Sequence, residues 1–167
     1  MKHSIRGFSM IEVMIAVLVV SFGVLGIAGA LFTATRSATS NYVRQQAVQD
    51  AYDILDRMRA NRTVAAQAGG SYTATATKPS STAPSTNCTT STCSGAQMAA
   101  YDVWQWQTQL MQNLPNGLGS VTIAAGSNSS YTVTVQVQWS DQAGNTAFTP
   151  SGTPSTTPQT YTVVSAL

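Results

Sequence analysis

Three groups of residues in this 167-residue chain have side chains capable of chemistry. The first is a single carboxylate, Glu12, inside the apolar run GFSMIEVMIAVLVVSFGVLGIAGALF that extends from Gly7 to Phe32. A carboxylate held in hydrocarbon at mid-helix costs about 2.5–3.5 kcal/mol, so its presence points to a function and a cationic partner. The second is the pair Cys88 and Cys93, spaced C-x4-C in NCTTSTC. The third is a scatter of carboxylates, Asp50, Asp53, Asp56, Asp102 and Asp141, with Lys78 alone among small polar residues. The one histidine, His3, precedes Gly7. A nucleophile needs a base, and no Ser-x-x-Lys arrangement or phosphate-cradling loop is present, so no catalytic set is expected. Two thiols with no further ligand do not make a tetrahedral zinc site, and no metal or cofactor is expected.

The element that positions Glu12 is a helix. The 25 residues after Gly7 rise by about 1.5 Å each, enough to cross a hydrocarbon core of about 30 Å. A short basic stretch, MKHSIRG, precedes them. A secretory signal runs from basic to apolar to a small-residue cleavage site. Here the basic residues meet Gly7-Phe8 directly, and a cut after Gly7 leaves the apolar run on the mature protein. Glu12 would then lie in the first turn or so of a helix, where the positive dipole end and the new α-amine at Phe8 both favour its charge. A neighbouring subunit could supply such an amine as its ion-pair partner. The blander reading is a single-pass anchor whose Glu12 snorkels to the headgroups. Lys2 and Arg6 hold the N-terminus in the cytoplasm and place the C-terminal domain outside.

Gly7-Phe8-Ser9-Met10-Ile11-Glu12 after a short basic leader resembles the processing site of type IV prepilins and of type II secretion pseudopilins. The resemblance implies cleavage after Gly7 by a prepilin peptidase, N-methylation of Phe8, and packing of Glu12 against the N-terminus of an adjacent subunit. Major pilins commonly carry a proline in the apolar segment. This chain has none there, which sets it apart from a major subunit, and any loosening of the helix falls to Gly23, Gly26 and Gly29. Spaced three apart, these glycines also make a smooth strip on which another helix could pack.

Charged residues make up 8% of the chain. Loss of Lys2 and Arg6 would leave six basic against six acidic side chains, which argues against a nucleic-acid partner, since that needs clustered Lys and Arg. About 135 residues follow the apolar run, enough for one domain with a core. In an oxidising compartment Cys88 and Cys93 are expected to form a disulfide closing a six-residue ring, worth roughly 2 kcal/mol, with a redox-active pair as the alternative.

Beyond Phe32 the helix is expected to continue to Arg62. Val43, Ala47, Ala51, Ile54 and Met58, with Val48 and Leu55 alongside, recur at the three- and four-residue spacing of a face turned to a core. Asp53 and Arg57 form an i,i+4 pair on the opposite side, and Asp50, Asp53 and Asp56 read as an exposed face. Arg57, Arg59 and Arg62 complement the helix C-terminal dipole. Residues 63–93 read as a loop with one short strand at 72–77. Asn61, Asn87 and Asn128 begin Asn-x-Ser/Thr triplets, which a solvated loop explains as well as glycosylation does. Ser94 and Gln97 form a candidate capping box for a helix over 96–114, stopped by Pro115. Ala99, Val103, Trp106, Leu110 and Leu114 share its inner face, while Trp104, about 200° away from Trp106, is a candidate contact for a neighbouring subunit. After a Pro115-Asn116-Gly117 turn come strands at 121–125 and 131–139, the second with strict alternation, then an irregular connection over 140–159 and a last strand at 161–166 against the 131–139 strand.

The segment Cys93 to Trp106, CSGAQMAAYDVWQW, followed by Leu114-Pro115-Asn116-Gly117, is similar to the central region of PilV-type minor pilins. The expected fold is α+β and pilin-like. A long N-terminal helix, membrane-spanning in its first half and amphipathic in its second, packs on a small antiparallel sheet with a second helix near 96–114. The expected organisation is a leader over 1–7, a membrane and assembly helix over 8–32, and a periplasmic head over 33–167 with strands across 121–166. The resemblance implies a minor pilin held in the inner membrane and then built into a pilus on the cell surface. Its implied place is a priming or tip complex that supports display of a tip adhesin. The implied partners are other minor pilins, the major pilin, the prepilin peptidase, the inner-membrane assembly platform and a tip adhesin. Two alternatives share the sequence features: a type II secretion pseudopilin, and a membrane-anchored binding module that never polymerises.

Overall fold

A computed structural model describes residues 9–126, 130–140 and 158–167. The elements in chain order are α1 (Met10–Ala60), α2 (Arg62–Ala65), α3 (Gly95–Asn113), β1 (Leu118–Ala125), β2 (Tyr131–Trp139) and β3 (Gln159–Ala166). The chain divides into two compact units between Thr39 and Ser40.

In the first unit every side chain from Ser9 to Thr39 is exposed. The helix begins on the Ser9 carbonyl, which accepts from the backbone N–H groups of Glu12 and Val13. The hydroxyls of Ser21, Thr33, Thr35 and Thr39 each donate to the carbonyl four residues back. That arrangement satisfies their polarity within the helix itself. The Arg36 guanidinium lies 4.3 Å from the centre of the Phe32 ring, a cation–π contact where the apolar run ends.

The second unit is a small α+β head. Its sheet is antiparallel throughout, in the order β1-β2-β3. Val133, Val135, Val137 and Trp139 alternate inward along β2, joined by Val121 and Ile123 from β1. Against them pack Ala47, Ala51, Ile54, Leu55 and Met58 of α1 and Ala99, Trp106, Leu110 and Leu114 from α3 and its end. The same three- and four-residue spacing that marked these positions in the sequence therefore turns one stripe of each helix to the sheet.

Several boundaries differ from expectation, each for a local reason. The long helix stops at Ala60 rather than Arg62. Asn61 leaves helical geometry (φ −115°, ψ 46°), and its amide donates to the Gly95 carbonyl at 2.7 Å, tying the helix end to the start of α3. A one-turn helix, α2, then opens the segment expected to be loop from residue 63. The strand expected over 72–77 is reduced to one bridge, Ala74 with Val121. The helix expected over 96–114 runs Gly95–Asn113, opened by the Ser94–Gln97 capping box with both reciprocal hydrogen bonds formed. The sheet starts earlier than residue 121, at Leu118. Gly119 lies beneath Trp106, and a Cβ there would collide with the indole and with Leu110. Gln107, buried, donates to the carbonyls of Thr75 and Gly119 and so ties α3 to both neighbouring segments. The turn ahead of β1 places Asn116 at φ 53°, a left-handed conformation that Asn tolerates better than most residues. The last strand begins at Gln159, two residues before the expected start, and pairs with β2 as anticipated. The connection expected over 140–159 falls mostly on residues 141–157, outside the described residues, as do Asp141 and Asn128.

Candidate functional site

The apolar face comes first. From Met10 to Phe32 the large apolar side chains are 50–85% exposed, on every side of the helix. The helix is long and apolar enough to cross a membrane. Glu12 sits in its first turn, where the unpaired N–H groups favour an anion. Helical geometry continues unbroken through Gly23, Gly26 and Gly29, and a Cβ at any of the three would meet nothing within 4 Å. Gly7 and Phe8, the expected cleavage and methylation positions, lie outside the described residues.

In the head, the residues singled out for charge or redox chemistry are used by the fold. Cys88 and Cys93 form a disulfide with Cα atoms 5.6 Å apart. Trp104 is half-buried, its indole N–H donating to the Ser80 carbonyl at 3.0 Å and its ring 5.8 Å from that of Tyr101. That indole therefore holds the preceding loop as well as offering a surface. The Asn61 amide is bonded inward, and the Asn87 side chain accepts from the Thr89 backbone and hydroxyl in a local turn.

Arg57 does more than complement a helix dipole. It forms the expected pair with Asp53 at 2.9 Å, and it also crosses to α3. There it donates to Gln105 at 2.6 Å and approaches Asp102 at 3.5 Å. The buried Tyr72 hydroxyl donates to the other Asp102 oxygen at 2.7 Å. Burial pushes the Tyr72 phenol well above its ordinary range, and the Asp102 carboxylate adds to the shift. These partners lie 30 to 48 residues apart, so no local pattern announces them.

Asp50 is the plainest correction. The sequence pattern places it on an exposed face, yet it is 8% exposed. One carboxylate oxygen accepts from Gln46 and Asn113, and the other has no partner. Three residues after Ala47 and four before Ile54, it falls on the buried stripe itself, and its backbone carbonyl accepts the Trp106 indole N–H at 2.8 Å. Burial raises its pKa, against the lowering effect of the two amide donors. Among the described residues no three of His, Cys, Asp or Glu gather into a metal-binding group.

Residues 2–28 match the prokaryotic N-terminal methylation motif. Residues 30–104 match the family described as type IV pilin Tt1218. No curated protein and no solved structure matches the chain significantly. The first match covers the segment around Glu12, and the second covers the rest of α1 and the opening half of α3. The methylation motif implies processing by a prepilin peptidase and assembly with other pilins into a pilus or pseudopilus. Taken with the exposed apolar helix and the α+β head, the two matches support a type IV pilin.

Proposed function

We infer that the chain is a minor pilin. It is stored as a single-pass inner-membrane protein with a periplasmic head, cut after Gly7, N-methylated at Phe8 and built into a type IV pilus. One observation carries this reading. The first thirty described residues of the helix are exposed all round, apolar to Phe32, and bear a single carboxylate in the first turn. An apolar surface of that kind has two stable settings, lipid and a bundle of like helices. Glu12 is costly in the first unless paired. In the second, the α-amine of the adjacent Phe8 offers that pair, and the carboxylate becomes a register mark between subunits.

The similarity of residues 93–117 to PilV-type proteins, with the absence of proline from the apolar run, favours a minor pilin over a major one or a type II secretion pseudopilin. The role that follows is structural. With other minor pilins the protein forms a priming or tip complex on the assembly platform, on which the major pilin extends and a tip adhesin is displayed. Gly23, Gly26 and Gly29 give the helix its flexible stretch, and the exposed edge of Trp104 is offered to a neighbour. Two measurements test the reading. Mass spectrometry of sheared filaments is expected to find an N-methylated Phe8 terminus, and an intact Met1 terminus would refute processing. Glu12→Ala is expected to leave membrane insertion unchanged and to remove the protein from filaments. Recovery of that variant at normal abundance in sheared pili would remove Glu12 from the assembly step.

A further inference from the structure

We propose that a small polar cavity in the head binds a carboxylate, presented by an acidic side chain of a neighbouring subunit. The cavity, about 150 Å3, is lined by Ser40, Asn41 and Arg44 of α1, by Trp139 at the end of β2 and by Gln159 and Thr160 at the start of β3. Tyr161 completes the wall.

Three features define what fits. The first is size. A water occupies about 30 Å3 of liquid, and sites for whole organic ligands begin at about 300 Å3. This cavity admits one functional group. The second is charge. Among the described residues no acidic side chain lines the wall, and the Arg44 guanidinium makes no ion pair. One cation without an acid suits a monoanion, and the planar fork of a guanidinium matches the two oxygens of a carboxylate. The third is an unmade hydrogen bond. Trp139 is 4% exposed, and its indole N–H is buried without an acceptor. The other two indoles, Trp104 and Trp106, each donate to a carbonyl. Buried donors are nearly always paired, and an oxygen anion in the cavity beside Trp139 would supply the missing acceptor. The amides of Asn41 and Gln159 and the Thr160 hydroxyl add further donors to the same space.

The assignment of the carboxylate to a neighbouring subunit rests on the filament reading; the carboxylate site itself does not. Its test uses the full-length protein in detergent micelles, with the indole nitrogens labelled. Three tryptophans give three indole N–H signals, and Trp139→Phe identifies one of them by deletion. Sodium acetate is expected to shift the Trp139 signal saturably while the Trp104 and Trp106 signals stay in place, and chloride at equal ionic strength is expected to leave all three unchanged. Arg44→Gln is expected to weaken the effect by about tenfold or more, as loss of a charge-assisted hydrogen bond requires. No shift, an equal shift in chloride, or an unaltered response in Arg44→Gln would each overturn the site. The source of the carboxylate is read from a photo-crosslinking residue at Thr160 in intact filaments. An adduct with an Asp- or Glu-containing peptide of another subunit supports the proposal. An adduct confined to the chain's own 141–157 peptide, which contains Asp141, overturns the neighbour as the source. Acetate binding needs no filament, so failure of the pilin reading and failure of the site give different results.

Discussion

The two ends of α1 use the same kind of residue in opposite ways. Leu18, Leu25 and Leu31 near its start are each more than half exposed, whereas Ala47, Ala51, Ile54, Leu55 and Met58 near its end are fully buried. Helical geometry is common to both, so the contrast lies in the pattern around the turn. The first stretch is apolar on all sides and no one face can be covered by a single sheet. The second confines its apolar groups to one stripe, and the head's sheet and α3 cover that stripe. Each stretch is stable in a different solvent. The apolar start of α1 stays exposed, which fits a membrane-anchored pilin, while the stripe near its end is consumed by the fold.

The strongest way to break that contrast is to cut a large side chain from each. Trp106 is fully buried among residues of both helices and β1, and Trp106→Ala is expected to cost about 3–5 kcal/mol. That loss is comparable with the whole stability of a small domain, so the head should be unfolded or nearly so, as read by loss of near-ultraviolet circular dichroism in micelles. Leu18→Ala, in the exposed stretch, should move the head's unfolding by no more than about 0.5 kcal/mol. Equal destabilisation by the two would mean that the exposed stretch is part of the head's core after all.

The next largest effect tests the polar link between α1, α3 and the segment between α2 and α3. Asp102→Ala removes the short acceptor of the Tyr72 hydroxyl, leaving it only the Arg57 carbonyl at 3.4 Å, and removes one partner of Arg57. A hydrogen bond to a charged group is worth about 1.5–3 kcal/mol, and the loss in denaturant unfolding is expected in that range. Tyr72→Phe should cost less, because Asp102 keeps Arg57. A double variant that loses no more than Asp102→Ala alone would show the two residues acting as one unit.

These partners mark the limit of what the sequence discloses. Features written within a few residues were legible. The Ser94–Gln97 capping box, the inward alternation of β2, the stripe of α1 and the Cys88–Cys93 pair all involve residues a few positions apart. Features that depend on distant contacts were not. Arg57 looked like a dipole complement because Gln105 and Asp102 come from another helix, more than forty residues on. Leu118-Gly119-Ser120 lacks the branched residues that advertise a strand. It is one because these residues pair with 136–138 of β2, more than fifteen residues on, and Gly119 leaves room for the Trp106 indole. Asp50 was misplaced because a carboxylate on a helix is ordinarily a surface residue. Glu12 stands out in the sequence as a lone charge in an apolar run, and its part in assembly is the proposal that Glu12→Ala tests.

A smaller effect is expected from the disulfide. Cys88→Ser with Cys93→Ser opens a six-residue ring and removes roughly 2 kcal/mol by loop entropy. The bond closes a loop that is also held by Trp104 on Ser80 and Gln97 on Thr86. The variant should therefore melt earlier while keeping the indole signals of Trp104 and Trp106. Loss of the Trp106 signal would place the disulfide in the support of the core itself.

The smallest effect has the opposite sign and concerns the carboxylate the fold buries. Asp50 has a pKa raised in the folded protein, chiefly by burial, with the Asp53 carboxylate adding to it and Gln46 and Asn113 opposing it. A group whose folded pKa exceeds its unfolded one binds its proton more tightly in the native state. Stability then falls as pH rises from the unfolded value through the folded value, and the loss persists at neutral pH. Asp50→Asn keeps an oxygen for the two amide donors and removes the buried charge, while its new amide takes the place of the oxygen that has no partner. The variant is expected to melt above the parent protein at pH 7. The gap should close as pH falls through the native titration of Asp50, where both side chains are neutral. A gap that stays constant with pH would assign the gain to packing, and a parent protein more stable than the variant at pH 7 would show that the buried charge contributes favourably to the head.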